Sequence, residues 1–263
     1  MTMTQQDTTI LNNRNLKGDY YQVDFQADAI VPQVQPGQFV HLKLPEFEHR
    51  ILRRPFSIYN AESKTGVLSI VYKVVGEGTS HLAKLPAGTQ VNLLGPLGTG
   101  FSQPSGKGRP VIVAGGYGCA ATYLVARRSP VPCTVLIGGR SAPDLLLEDE
   151  FRALGCDVQV STNDGSKGHK GLVTALLEEA IEKYGKTTEV FACGPNPMLK
   201  AVCHISAAYG IDAEVSLDHA MCCGVGACFA CVVKMKADTP EGWEYVRTCM
   251  AGPVFKASRT YWD

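Results

Sequence analysis

The sequence lacks the features that mark several classes of protein. It carries 25 acidic and 25 basic side chains, so no excess charge of one sign is available to attract nucleic acid or an anionic membrane. No stretch approaches about 18 uninterrupted apolar residues, and the opening "MTMTQQDTTIL" has neither the basic nor the apolar region of a secretory signal. These absences predict a cytoplasmic protein that binds neither nucleic acid nor membrane.

The chain is longer than one usual domain. Its 263 residues exceed the roughly 100 to 200 residues of a single domain, which favours two separate cores. From Tyr20 to Leu97, short runs alternate apolar and polar residues between prolines and glycines, a pattern typical of a small antiparallel β-barrel. A segment rich in glycine, serine and proline, Gly98 to Pro110, is predicted to be a linker. We therefore expect a barrel domain over residues 1–100.

Buried strands alternate with helices after this segment. The first strand, "PVIVAGG", leads to a helix from Ala120, and three further strand–helix pairs follow. The helix from Gly171 is expected to bury one stripe, formed by Leu172, Leu176, Ala180 and Tyr184. The alternation predicts a doubly wound, mostly parallel α/β domain over residues 108–217, with a nucleotide at the carboxyl ends of its strands. Residues 218–263 form a third, cysteine-bearing segment.

Most of the ten cysteines stand singly in apolar runs, where we expect reduced, buried thiols. The C-terminal group is different. Cys223, Cys228 and Cys231 have the spacing C-x4-C-x2-C, and Cys249 follows eighteen residues later. This is the plant-type [2Fe–2S] spacing, in which a tight loop and a distant fourth thiolate enclose the cluster. The neighbouring glycines allow the sharp bends that such a loop needs.

Other interpretations of these cysteines stay open at the level of sequence. Structural zinc usually takes two C-x2-C pairs, and only one is present. Inert thiols are a further alternative, although they would not explain a glycine-rich polar loop. Cys222 would replace Cys223 as first ligand if the spacing were C-x5-C, but the glycine after Cys223 favours Cys223.

The barrel segment contains a candidate flavin site in "RRPFSIY". Arg54 is suited to a pyrophosphate, Phe56 to contact with an aromatic ring system, and Ser57 to a hydrogen bond with a flavin nitrogen. Further along, Gly78 and Thr79 open a short helix whose free amides would accept a phosphate. Taken alone, these residues are explained better by an ordinary barrel strand with an edge arginine.

The second domain contains a candidate nucleotide site. "GYGCAA", Gly116 to Ala121, fits the G-x-G-x-x-A fingerprint between a buried strand and a helix. The second strand ends in Gly-Arg-Ser instead of the usual acidic residue. Arg140 there would favour a 2'-phosphate and hence NADP, whereas Asp164 would bind ribose hydroxyls and favour NAD.

A further strand of this domain ends in "ACGPNPML". Its Cys193 and Gly194 would lie where a nicotinamide binds, although a buried core thiol is an equally good interpretation of Cys193.

The order of these motifs resembles the ferredoxin-NAD(P) reductase superfamily. The ending "CGVGACFAC" with "CMAGPVF" is similar to one family within it, the electron-transfer subunits of NAD-linked dihydroorotate dehydrogenases. The resemblance implies three cofactors, namely FAD, one [2Fe–2S] cluster and NAD. Its implied FAD contacts are Arg54, Pro55, Phe56, Ser57, Val71, Tyr72, Lys73, Gly78 and Thr79, and its implied cluster ligands are Cys223, Cys228, Cys231 and Cys249. The predicted nucleotide contacts are Gly115, Gly116, Gly118, Asp164, Cys193 and Gly194.

The resemblance also implies a function. A partner subunit carrying FMN would oxidise dihydroorotate in pyrimidine biosynthesis, and electrons would pass through the cluster and FAD to NAD+, in an assembly with two copies of each subunit. No side chain of this chain would then be a catalytic acid or base. Two alternatives remain: a related reductase module of a transhydrogenase, sulfide dehydrogenase or hydrogenase, and a zinc-stapled binding module without catalysis. In the transhydrogenase relatives an aspartate stands where this chain has Cys223.

Overall fold

The N-terminal part of the chain forms a closed antiparallel barrel. The computed structural model describes residues 3–47, 50–217 and 219–262. The barrel strands are β1 (Thr4–Lys17), β2 (Tyr20–Gln26), β3 (Phe39–Lys43), β4 (Arg54–Glu62), β5 (Val67–Lys73) and β6 (Gln90–Leu97), joined in the order β1-β2-β5-β4-β3-β6. One short helix, α1 (Glu77–Leu82), follows β5. The predicted barrel is confirmed.

Strand β1 was not expected from the alternation of apolar residues, which begins at Tyr20. Of its fourteen residues only Thr8 and Ile10 are buried, so the strand is mostly polar on both faces. It pairs in antiparallel fashion with β2 on one side and with β6 on the other. Pairing with two neighbours, rather than its own pattern, makes this segment a strand.

The second domain is a seven-stranded sheet with helices on both faces. Its strands are β7 (Arg109–Gly115), β8 (Thr134–Gly139), β9 (Asp157–Thr162), β10 (His169–Lys170), β11 (Thr188–Cys193), β12 (Ala213–Ser216) and β15 (Val254–Lys256), in the order β10-β9-β8-β7-β11-β12-β15. Its helices are α2 (Gly118–Arg128), α3 (Glu148–Ala153), α4 (Val173–Tyr184) and α5 (Asn196–Ala208). All pairs are parallel except β12 with β15, so the doubly wound sheet is confirmed.

The expected apolar stripe of α4 is wrong at one position. Leu172 precedes the helix and is 64% exposed. The helix begins at Val173, and its buried face consists of Val173, Leu176, Leu177, Ala180 and Ile181. Because the helix begins at Val173, Leu172 is not part of the helical face that packs on the sheet.

The C-terminal segment returns to the sheet. It forms a hairpin of β13 (Val232–Lys236) and β14 (Trp243–Arg247), then α6 (Thr248–Ala251) and strand β15 beside β12. The amide of Leu217 donates to the carbonyl of Pro253 at 2.9 Å, so the two ends of the cysteine segment meet. The sheet thus takes a strand from beyond residue 217, and the three domain boundaries stay predictions.

The segment predicted as a linker is packed against both neighbours. The amide of Phe101 donates to the carbonyl of Pro36 at 2.8 Å, and its ring is only 4% exposed. Thr99 donates to the carbonyl of Gly252 at 2.5 Å. Its last residue, Pro110, already belongs to β7. Among the described residues, no helix has the length and apolar character that a membrane crossing requires.

Helix α2 joins the two domains. Its Leu124 is fully buried in the core cluster of the barrel, and Tyr123 packs on Tyr59 of β4 with ring centroids 4.5 Å apart. Arg127 on the same helix donates to Asn60 and Glu62 of β4. The barrel core therefore includes a side chain from the helix that begins at the nucleotide motif.

We expect Leu124→Ala to lower the free energy of unfolding by about 2 to 5 kcal/mol, because the truncation leaves a cavity in a core shared by two domains. Leu172→Ala is the matched control. Since Leu172 is mostly exposed, its truncation should change stability by no more than about 0.5 kcal/mol. Urea unfolding followed by circular dichroism measures both, and equal effects would contradict the shared core.

Candidate cofactor sites

The candidate flavin residues converge at one end of β4 and β5. A Cβ built on Gly78 would lie 2.9 Å from Nε of Arg54, so the arginine side chain lies across the start of α1. The rings of Phe56 and Tyr72 are neighbours, with centroids 5.7 Å apart. The structure therefore brings a guanidinium to a helix start, while Phe56 is half-buried and Tyr72 is buried in the barrel core.

The turn before α1 is organised by Thr79. Its hydroxyl accepts hydrogen bonds from the amides of Val75 (2.9 Å) and Gly76 (3.2 Å), and it donates to the carbonyl of Gly76 at 3.0 Å. The first amides of a helix have no carbonyl partner within the helix. The hydroxyl of Thr79 thus shapes the turn that precedes α1, next to Arg54.

Other predicted flavin residues take less direct positions. The side chain of Val71 is buried in a core cluster that includes residues of the second domain, so any contact from Val71 must come from its backbone. Lys73 lies over the ring of Tyr20, with Nζ 5.0 Å from the centroid. Pro55 and Ser57 are half-buried on β4, opposite His41 and Phe39 of β3.

A cavity of about 490 Å³ lies between the barrel and the carboxyl edge of the parallel sheet. A volume of this size suits a cofactor or another small molecule. The order of the strands reverses between β7 and β11, and the cavity lies at this switch point. Its lining comes from both domains and includes Tyr20, Lys73, Gly115, Gly116, Gly139, Arg140, Asp144, Gly194, Pro195 and Met198.

The glycines of the nucleotide motif have different surroundings. Gly116 has φ +56° and open space where a Cβ would be, so its backbone faces the cavity. A Cβ on Gly118 would lie 2.2 Å from the carbonyl oxygen of Cys193, which means that Gly118 permits close packing of α2 on β11. Cys193 is itself buried and is absent from the cavity lining. Gly116 and Gly194 are thus open to a ligand, whereas Gly118 and Cys193 are not.

The acidic residue at the cavity is Asp144. Asp164 is not among the lining residues, and its carboxylate accepts hydrogen bonds from the amide (2.9 Å) and hydroxyl (2.6 Å) of Ser166. These hydrogen bonds lower the pKa of Asp164. Asp144 lines the cavity, with its Oδ2 3.7 Å from Nε of Arg140. Asp144 was not predicted, because an acid is expected directly after β8, whereas a one-turn 3-10 helix places this one further along the chain.

The four cysteines of the C-terminal segment lie in two pairs. Sγ of Cys223 accepts hydrogen bonds from the amides of Ala227 (3.3 Å) and Cys228 (3.4 Å). Sγ of Cys231 accepts one from the amide of Cys249 at 3.5 Å. Within the described ranges, no three cysteine, histidine or acidic side chains gather around a point that could hold one metal ion. Two thiol pairs fit a centre with two irons better than a single tetrahedral zinc.

The local hydrogen bonds prepare the first pair for metal. Burial raises the pKa of Cys223, but amide donors from Val225 and Cys228 outweigh it and lower the pKa to about 6. In the second pair, burial and the hydrogen bond with Cys231 raise the pKa of Cys249 to about 12. Amides directed at a sulfur stabilise the thiolate, the form that binds iron.

The cysteine segment is docked on strand β3 of the barrel. A Cβ built on Gly224 would lie 2.6 Å from Nε2 of His41, and φ at Gly224 is +68°. Phe39, two residues before His41, packs in one buried cluster with Leu97, Cys231 and Cys249. The segment therefore lies against the strand that neighbours β4.

His41 is fully buried, and neither ring nitrogen has a hydrogen-bond partner. Burial, with a smaller effect from Arg53, lowers the pKa of His41 to about 4. The imidazole is therefore neutral at physiological pH. No sequence motif points to His41, because a histidine in a barrel strand acquires its neighbours only through tertiary packing.

An apolar rim surrounds the exposed Cys228. Val225, Phe229 and Met250 are exposed there, and the guanidinium of Arg247 lies 4.9 Å from the ring centroid of Phe229. Exposed apolar side chains grouped in this way are typical of a protein contact surface.

Comparison with protein-family models agrees with this arrangement. Residues 10–101 match an oxidoreductase FAD-binding domain, and residues 112–204 match an oxidoreductase NAD-binding domain. Residues 218–260 match the iron-sulfur cluster binding domain of dihydroorotate dehydrogenase B. With the barrel, the interdomain cavity and the paired cysteines, these matches define an oxidoreductase subunit of the ferredoxin reductase-like fold, with FAD-, NAD- and cluster-binding domains.

Curated relatives identify the family. The chain is 37% identical over 263 residues to the electron transfer subunit of dihydroorotate dehydrogenase B (NAD(+)) from Enterococcus faecalis, covering 98% of both chains. It is 36% identical over 246 residues to the protein of the same name from Desulforamulus reducens, covering 92% of this chain and 93% of that one. The chain belongs to the family of dihydroorotate dehydrogenase B electron-transfer subunits.

Solved structures share the fold. A structure of an NADH-dependent reduced ferredoxin-NADP oxidoreductase, described for flavin-based electron bifurcation, matches with a TM-score of 0.83 and 27% identity, covering 97% of this chain and 90% of that one. A ferredoxin NADP+ reductase from Neisseria gonorrhoeae with bound FAD and NADP matches with a TM-score of 0.64 and 18% identity, covering 78% and 92%. The second likeness shows the fold alone.

We expect Gly224→Ala to abolish cluster assembly, because its methyl group would overlap the ring of His41. Gly242→Ala is the matched control, since Gly242 lies in the same segment with φ +75° but has no atom within 4 Å of its Cβ position. Both variants carry the backbone strain of about 1 to 2 kcal/mol, and only the first adds the overlap. Iron and sulfide content measure the result, and equal iron in the two variants would contradict the docking.

Proposed function

We propose that this chain relays electrons from an FMN-containing partner, which oxidises dihydroorotate, to NAD+. When bound, the cluster transfers single electrons, while FAD collects two and delivers them as a hydride. The observation that carries the proposal is the position of strand β3. Its Phe39 packs with Cys231 and Cys249 on one side and pairs with Ser57 of β4 on the other. One strand thus joins the cysteine segment to the candidate flavin strand.

The barrel residues have distinct roles in this proposal. Arg54 and the backbone at the start of α1 hold the FAD pyrophosphate, since the arginine side chain lies directly beside Gly78. Phe56 and Tyr72 provide aromatic surface, and Ser57 donates a hydrogen bond to the flavin ring. Pro55, Val71 and Lys73 complete the contact through the backbone or the rim of the cavity.

Cys223 and Cys228 bind one iron in the proposed site, and Cys231 and Cys249 bind the other. The support is the pairing of their hydrogen bonds and the amides that lower the pKa of Cys223. Cys222 is not a ligand in this assignment. A Rieske centre takes two histidines among its ligands, and these four side chains are all thiols.

The nucleotide proposed for the cavity is NAD. Gly115, Gly116 and Gly194 let its phosphates and nicotinamide approach the backbone at the carboxyl edge of the sheet. We assign the ribose hydroxyls to Asp144, in place of Asp164, because only Asp144 lines the cavity. A carboxylate at this position disfavours the 2'-phosphate of NADP by charge repulsion, and the guanidinium of Arg140, which would favour that phosphate, lies 3.7 Å from this carboxylate. Gly118 and Cys193 do not contact the nucleotide in this proposal. They support the site indirectly, by allowing α2 to pack closely on β11.

The proposed partner docks on the rim of Val225, Phe229 and Met250, which brings its own cofactor near the cysteine pairs. Membership in a family of electron-transfer subunits implies a catalytic partner subunit. An assembly of two copies of each is the arrangement we propose. All ten cysteines are free in the structure, which fits the reducing cytoplasm as the place of function.

A second candidate function is the reductase module of an NADH-dependent ferredoxin-NADP oxidoreductase, favoured by the TM-score of 0.83 with such a structure. Cys223 argues against it, because an aspartate is the first ligand in the transhydrogenase relatives. Partner preference separates the two candidates. Only the first gives NADH formation with a dihydroorotate-oxidising subunit and no ferredoxin.

Anaerobic addition of NADH to the purified chain should bleach both a flavin band and an iron–sulfur band. Cys228→Ser should retain the flavin response and lose the iron–sulfur one, because the loop is separate from the barrel core. Cys222→Ser is the control and should keep both. Visible absorbance and EPR provide the measurements. A wild-type chain that stays colourless after reconstitution with FAD, iron and sulfide would contradict the relay.

Arg54→Ala should weaken FAD binding by about 1.5 to 3 kcal/mol, roughly 10- to 140-fold, because a charge-assisted hydrogen bond to the pyrophosphate is lost. Arg14→Ala is a control on the same barrel, since Arg14 is exposed and its side chain donates to Gln22. Fluorescence titration of deflavinated protein measures the affinity. Unchanged affinity in Arg54→Ala would remove Arg54 from the site.

A further inference from the structure

Two cysteines outside the cluster segment are cross-strand neighbours. Cys133 directly precedes β8 and Cys156 directly precedes β9. The strands run parallel with Thr134 opposite Asp157, and the amide of Asp157 donates to the carbonyl of Cys133 at 3.0 Å. Cys133 therefore lies opposite Cys156, with both side chains on the same face of the sheet.

The spacing of adjacent strands suits a covalent link. Paired strands lie about 4.8 Å apart, and disulfides join Cα atoms separated by about 4.4 to 6.8 Å. The two side chains are close enough to interact, since the Cys133 side chain lowers the pKa of Cys156, and Sγ of Cys133 lies 3.9 Å from the carbonyl of Val131. A disulfide between them requires side-chain rotation and no movement of the strands.

The surroundings distinguish the two sulfurs. Cys133 is fully buried, whereas Cys156 is half-buried and reachable from solvent. The hydrogen bond from Cys133, its backbone amide and the charge of Arg109 lower the pKa of Cys156 to about 7 against the opposing effect of burial. Arg109 is held in place by its bond to Thr134 at 3.0 Å and by the ring of Tyr184 beneath its guanidinium.

The pair has no part in the proposed electron relay. It lies at the amino end of β8 and β9, while the cavity lies at their carboxyl ends, about 20 Å away along six-residue strands. Neither cysteine belongs to the C-x4-C-x2-C motif. The low-pKa thiol, its accessibility and a second thiol in contact are the features of a site that reacts with peroxide.

We infer that Cys156 and Cys133 form an oxidation site, in which Cys156 reacts with hydrogen peroxide and Cys133 resolves the product as an intramolecular disulfide. The thiolate sulfur of Cys156 attacks one peroxide oxygen, an S–O bond forms as the O–O bond breaks, and the departing hydroxide is protonated to water. Cys133 then loses its proton and attacks that sulfur. The S–S bond forms, the S–O bond breaks, and a second water leaves. Two thiols are oxidised by two electrons, and one peroxide is reduced to two waters.

The test is peptide mapping of the full chain with its cofactors bound. The protein is treated with one equivalent of hydrogen peroxide, alkylated with N-ethylmaleimide and digested without reduction. We expect a peptide pair linking Cys133 to Cys156, two hydrogen atoms lighter than the separate peptides, which disappears on treatment with dithiothreitol. Free, alkylated Cys156 at the level of the untreated sample would overturn the inference.

Variants assign the two roles. Cys133→Ser should leave Cys156 as a sulfenic acid that dimedone traps, and Cys133→Ala, which also removes the donor beside Cys156, should give the same adduct more slowly. Cys156→Ser should leave Cys133 unoxidised. Cys203→Ser is the matched control, because Cys203 is a buried thiol bonded to Thr260, and the link should form as in the wild type. Peroxide adducts on Cys133 in Cys156→Ser, or a link from Cys156 to another cysteine, would contradict the assignment.

Discussion

The contact of Gly224 with His41 is the constraint on which the other sites depend. It lets the cysteine loop lie directly on strand β3, with no side chain to separate loop from barrel. Because His41 is buried and neutral, the contact adds no charge next to the thiolates. A larger residue on either side would move the cysteine pairs away from the barrel as a unit. The position of the cysteine segment on the barrel thus depends on steric contact between Gly224 and His41.

The domains are joined so that each cofactor site borders another. Strand β3 lies between the cysteine segment and β4, and Lys73 of β5 extends into the cavity of the second domain. Helix α2 begins at the nucleotide motif and places Leu124 in the barrel core. Electron transfer requires short, fixed separations, and three shared packing surfaces provide them without a flexible linker. The residues between Gly98 and Pro110 are accordingly held in place at both ends.

Much of the architecture was predictable because it rests on local chain geometry. The glycine-rich turn, the alternation of strands and helices, and the cysteine spacing are encoded within short windows. Other features depend on residues distant in the chain. Strand β1 is defined by its two neighbours, Asp144 reaches the cavity through a 3-10 turn, and the isolation of His41 appears only when the loop docks. Leu172 shows that the ends of a helix are harder to predict than its middle. The helix begins one residue later than expected, and Leu172 is exposed instead of buried.

Strand β15 gives the cysteine segment a second role in the sheet. The segment leaves the sheet after β12 and returns as the strand that pairs with β12, so it covers what would otherwise be an open edge. An uncovered edge strand exposes unpaired amides and carbonyls and invites pairing with other chains. A chain that fails to complete this segment would therefore be at risk of aggregation as well as lacking a redox centre. The same segment therefore carries the thiol ligands and covers the edge of β12 against self-association.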